Sequence, residues 1–251
     1  MISEHANHNH HHHTDQSQSR NRDESQLALL RWTAGLGAVT ADALAAHLGV
    51  SVASARGRLR TAVAKGLVRR CSPLADQPAL YGVTRAGLRA AGVEGVDPCT
   101  VSASGALHLI ECARVAASLE RCYPDHRVQG ERLLRAQERA CGRLLASAQL
   151  GAGAHTGGVE AGRRRHRPDL VLWPCEPADG LPVAVEVELT VKAPERLVAI
   201  CRAWARAGCV AGVLYLAPPE VERAVARAVE RARAHQRVLV VPLNSLTDYQ
   251  Q

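Results

Sequence analysis

The chain has 251 residues, is 47% hydrophobic with no phenylalanine, and carries a formal net charge of +7 with a pI near 9.2. That length holds one large or two modest domains, and the basic balance favours a polyanionic partner, nucleic acid first. No apolar run nears the ~20 residues of a membrane span and the polar start is no signal peptide, so a cytoplasmic protein is expected.

Positive charge is spelled almost entirely as arginine; Lys65 and Lys192 are the only lysines. With so much Ala, Gly and Val, this bias fits a GC-rich coding background, so arginine count alone argues nothing. Eight cysteines stand at positions 71, 99, 112, 122, 141, 175, 201 and 209 with no CxxC pair. They read as small apolar core residues of a reduced protein, not as disulfides or zinc ligands; Cys112 and Cys201 fall where a helix would bury them.

In chain order, residues 1–24 are polar and histidine-rich and read as a disordered tail, tag-like or low-complexity, in which a histidine run could chelate metal. Residues 25–95 read as a winged helix-turn-helix. "QLALLRWTAGLGAV" is a first helix. "TADALAAHLGV" is a second, with Thr40 as N-cap and Gly49 as its stop. "SVASARGRLRTAVAKGLV" is a third, capped by Ser51, and Gly57 inside it is unexplained at a cost of roughly 1 kcal/mol against Ala. "LVRRC" and "ALYGVT", separated by "SPLADQP", form the wing hairpin, and Thr84 caps one more helix. On the third helix Ser51, Ser54 and Arg58 are the candidates for base edges of double-stranded DNA. Arg56, Arg60, Arg69 and Arg70 suit phosphates. The alternative for these residues is a solvated face or a surface for protein contacts.

Residues 102–245 read as a second domain. A long helix over 102–123 is followed by a short strand near Val128 and another helix. A Gly-rich loop turning basic leads into strands "PDLVLW" and "LPVAVEVELT", then helix, strand, helix and strand. This order predicts an α/β sandwich with a mixed sheet, α+β over the whole chain. Within "VAVEVELT", strand alternation puts Glu186 and Glu188 on one face, and Asp169 approaches Glu186 if the two strands pair. Asp169, Glu186 and Glu188 would then hold Mg²⁺ through oxygen, with Lys192 positioned on a phosphodiester. The bland alternative is the ordinary polar face of a half-exposed strand. Arg163, Arg164, Arg165 and Arg167, in "GRRRHRPD", would flank that cleft as backbone contacts or as a solvated loop.

"RPDLVLW" followed by "VAVEVELT" resembles the PD-(D/E)XK nuclease-like, restriction-endonuclease-like fold. Taken with the winged helix, "LYGVTRAGLRAAG", "LHLIECARVAASLE" and "PERLVAICRAW", the chain from Leu27 to Leu243 resembles the actinobacterial replication-relaxation family. The resemblance implies a plasmid- or nucleoid-associated protein of mobile-element replication and DNA relaxation, with Mg²⁺-dependent nicking by the α/β domain. Glu188 departs from the pattern, standing where the nuclease lysine is usual, and Lys192 is the candidate replacement. The competing reading is a non-enzymatic regulator or replication accessory whose nuclease-like domain serves for homodimerisation.

Overall fold

The computed structural model describes residues 9–151, 165–176 and 180–246. Helix α1 (Asn9–Leu36) begins well inside the stretch expected to be a disordered tail. Residues 9–34 contain neither Gly nor Pro, and a helix already nucleated by its packed end extends at little cost. At its other end the helix stops earlier than the sequence suggests. Gly37 turns at φ +94°, releasing Ala38 and Val39 as a two-residue strand, β1, that pairs with Tyr81 and Gly82.

Helices α2 (Ala41–Leu48) and α3 (Val52–Ala64) follow, with Thr40 and Ser51 accepting from the backbone N–H three residues on and Gly49 closing α2 in the left-handed region. Strands β2 (Val68–Cys71) and β3 (Leu80–Val83) form an antiparallel hairpin, and β1 adds to its far side in the order β1-β3-β2. Thr84 caps the short α4 (Arg85–Ala90).

After α5 (Ala103–Cys122), strand β4 (His126–Gly130) and helix α6 (Glu131–Cys141) lead to a two-stranded ribbon of β5 (Ala148–Gln149) and β6 (Arg165–His166). The remaining elements are β7 (Leu170–Pro174), β8 (Val183–Val187), α7 (Pro194–Arg206), β9 (Gly212–Ala217), α8 (Pro219–Ala232) and β10 (Val238–Pro242). They give a five-stranded mixed sheet ordered β10-β9-β8-β7-β4. Strands β8, β9 and β10 are parallel, while β7 runs antiparallel to both β8 and β4. The protein is therefore mixed α/β.

Alternation sorts this sheet into two buried faces. Leu170, Leu172, Val185 and Val187 pack towards the Cys112–Leu119 stretch of α5, whereas Val171, Ala184, Val213 and Tyr215 pack under α7 and α8. The first cluster also takes in Leu29, Leu30, Leu44 and Leu59, so the N-terminal helices and the large sheet share a core. Two glycines allow the join: a Cβ on Gly130 would collide with the carbonyl oxygen of Gly35. A polar clamp accompanies it, with Glu120 of α5 accepting from Trp32 Nε1 at 3.0 Å and meeting His47 Nδ1 at 2.6 Å. The Trp32 and His47 rings stack 4.3 Å apart. The two segments that the sequence suggests as domains are thus packed on one another. Among the described residues no helix is long and apolar enough to cross a membrane.

Candidate active site and basic face

Because β7 and β8 are antiparallel, the start of one and the end of the other lie at the same edge of the sheet. Leu170 pairs with Val185, so Asp169 stands across from Glu186. Asp169 Oδ2 accepts from the Val187 N–H at 2.8 Å, which locks the carboxylate over the end of β8. Its other oxygen meets His108 Nε2 of α5 at 3.0 Å. That contact, outweighing burial, holds the His108 imidazole above its ordinary pKa.

Glu186 points under α7. Its Oε1 meets His166 Nε2 at 2.7 Å and accepts from Trp204 Nε1 at 3.1 Å. Burial makes this carboxyl harder to ionise, by more than the neighbouring imidazole makes it easier. Burial also pulls His166 down, but the charge and hydrogen bond of Glu186 outweigh it and raise the imidazole. His166 comes from β6, within the run that the sequence suggests as a loop, and its ring meets Trp204 edge-on.

Strand β8 ends at Val187, so the alternation expected for Glu188 is not imposed by strand geometry. Glu188 still donates its N–H to Leu216 O at 2.9 Å and is buried, and its Oε2 is ion-paired with Lys192 Nζ. Asp169, Glu188 and Lys192 all act electrostatically on His108, and Asp169 and Lys192 act on Glu186. Sequence reasoning therefore assembled one electrostatic neighbourhood. It is not one ligand cluster: among the described residues, the group of three whose ligand-type atoms all lie within 4.8 Å of one another is His108, Cys112 and Asp169. His108, Cys112, His166 and Trp204 were missed. A signal existed for the first two, which stand four apart on a predicted helix and so share a face.

The basic residues divide. Arg56, Arg60, Arg69 and Arg70 are exposed, with Arg56 4.0 Å from Asp42. Ser51 spends its hydroxyl on capping, and Ser54 is exposed beside it. Arg58 is half-buried because its guanidinium donates to Ser25 of α1, and Lys65 reaches Gln26. Arg165 sits in β6 opposite Gln149. Arg167 turns inward, its Nε donating to the buried Glu138 at 3.2 Å. Arg163 and Arg164 lie outside the described residues. No family model, curated protein or solved structure matches the chain.

Proposed function

We propose that this is a DNA-binding protein of plasmid or mobile-element replication, with an N-terminal winged helix-turn-helix and a nuclease-like α/β domain that nicks DNA. The observation that carries the reading is the gathering of Asp169, Glu186, Glu188 and Lys192 at the edge where β8 ends and β7 begins. Ligands of open α/β sheets bind beyond the carboxyl ends of parallel strands, and β8 and β9 both end here. Three carboxylates of low exposure supply the hard oxygen donors that suit Mg²⁺. To share one ion with Asp169, Glu186 would have to leave His166 and Trp204 and Glu188 would have to release Lys192; an ion so held would polarise a phosphodiester and acidify an attacking water. Lys192 brings positive charge to the phosphate. His166 and Trp204 fix Glu186 in one orientation, and His108 and the Val187 N–H fix Asp169. On the N-terminal unit, the exposed Arg56 and Arg60 of α3 and Arg69 and Arg70 of β2 provide the sequence-independent grip on backbone phosphates.

The test is conversion of supercoiled plasmid to the relaxed form. Nicking should require Mg²⁺ and disappear in Asp169→Asn, Glu186→Gln and Lys192→Ala, with plasmid binding retained. A wild-type chain that binds plasmid but never relaxes it with Mg²⁺ present refutes the nuclease. A second reading, a regulator without hydrolytic activity, is favoured by two features. Lys192 is neutralised by Glu188, and Glu186 is already occupied by two donors.

A further inference from the structure

Helix α5 buries Cys112, Ala113, Val115, Ala116, Ala117 and Leu119 in the core it shares with the sheet. His108 and Cys112, one turn apart, put an imidazole and a thiol on the same stripe, and Asp169 meets them from the start of β7. Cys112 Sγ lies 3.4 Å from His108 Nε2, which lies 3.0 Å from Asp169 Oδ1, and all three atoms fall within 4.8 Å of one another. A tetrahedral ion with bonds of about 2.0–2.3 Å sets its ligand atoms roughly 3.3–3.8 Å apart, so small rotamer adjustments close this triangle on a metal.

We propose that His108, Cys112 and Asp169 form a transition-metal site of the zinc class, with a fourth position facing solvent. It shares Asp169 with the nuclease reading but does not depend on it, and it calls for a different ion. Thiolate and imidazole donors select zinc-like metals over Mg²⁺, which takes oxygen.

Three further observations point the same way. Burial first, and then the charges of Asp169, Glu186, Glu111 and Glu131, oppose ionisation of the Cys112 thiol, and a dication bound to its sulfur would offset both. The Val187 N–H occupies Asp169 Oδ2 and leaves Oδ1 turned to His108, an outer hydrogen bond of the kind that orients metal-binding carboxylates. The His108 side chain is 41% exposed, giving the ion an entry path and a water its place. Binding converts the thiol to a metal-bound thiolate and passes its proton to solvent.

Cobalt(II) is the probe, added to the full reduced chain. The histidine-rich tail will also take up cobalt, but only a cysteine ligand produces a sulfur-to-cobalt charge-transfer band in the near ultraviolet. Wild type should show this band with the visible absorption of tetrahedral cobalt, and added zinc should bleach both. Cys112→Ser should abolish the band. His108→Gln, at a partly exposed position that keeps Cys112, should raise the cobalt concentration needed for half-maximal band intensity at least tenfold. Absence of the band from saturated wild type, or its persistence unchanged in Cys112→Ser and His108→Gln, overturns the proposal. Plasmid nicking is scored separately. A cobalt band without nicking leaves this site standing and removes the nuclease; nicking without a band does the reverse.

Discussion

Removing the Arg167 side chain tests whether this residue serves DNA binding or the fold. Glu138 is fully buried on α6, and its two oxygens are divided between two donors: Leu145 N at 3.0 Å and Arg167 Nε at 3.2 Å. Arg167→Ala leaves the carboxylate in the core with a single backbone N–H. Breaking a buried pair from one side costs about 3–5 kcal/mol. The retained hydrogen bond and the 18% exposure of Arg167 argue for the lower end, about 3 kcal/mol. For a chain of this size, that corresponds to a fall in melting temperature of roughly 6–12 °C. Urea denaturation should show the midpoint falling with no change in slope, while the folded protein binds DNA with wild-type affinity. Replacing both partners with apolar residues, as Glu138→Leu with Arg167→Met, should recover most of the loss, because no uncompensated charge then remains. An Arg167→Ala protein within about 0.5 kcal/mol of wild type would refute the reasoning, and reduced DNA affinity at unchanged stability would return Arg167 to the proposed DNA-binding surface. The pair also matters for the site, since Arg167 lies between His166 and Asp169 and anchors the segment that carries both.

The exposed pair Arg69 and Arg70 should behave oppositely. On the proposed DNA-binding reading, their replacement by Ala should leave stability unchanged and weaken binding to all DNA sequences alike. It should also flatten the slope of log affinity against log salt by about 1 for each phosphate no longer neutralised. His108 and His166 have folded pKa values raised above 6.5, so their stabilising effect is full below pH 6.5 and is lost as pH rises through the folded values. The raised Glu186 carboxyl adds a loss of the same sign beginning above pH 4.5. Urea midpoints should therefore fall on going to alkaline pH, less steeply in His108→Gln; a midpoint that rises with pH would contradict the assigned contacts.

Much of the fold is legible in the sequence because its signals are local. Thr40, Ser51 and Thr84 announce three helix starts by hydroxyl capping, and each accepts the bond that its position predicts. Alternation in "LVLW" and "VAVEV" places apolar residues on both faces, as a strand covered by helices requires. Less local features escape. The strand at Ala38–Val39 is too short to carry a pattern and exists because β3 offers an open edge. The shared core depends on Gly35 meeting Gly130 across 95 residues, a close approach that no periodicity encodes. The inward turn of Arg167 likewise depends on Glu138, which sequence alone reads as one more surface charge on a helix.

The nearness of Asp169 to Glu186 is legible in the sequence for a reason that also explains what is not. The link between β7 and β8, residues 175–182, is too short for a parallel crossover, so antiparallel pairing and the approach of Asp169 to Glu186 follow from the sequence. Lys192 follows by similar logic: with β8 finished at Val187, the chain turns before α7 and carries the lysine back to Glu188 four residues behind it. What covers this edge is a different matter. His108 lies 61 residues before Asp169, on a helix whose rotation about its axis is set by the packing of Ala113, Ala116 and Leu119 against the sheet. That packing turns the His108–Cys112 stripe towards Asp169. A site built by strand order is therefore open to pattern reasoning, whereas one completed by helix rotation appears only after the core is packed.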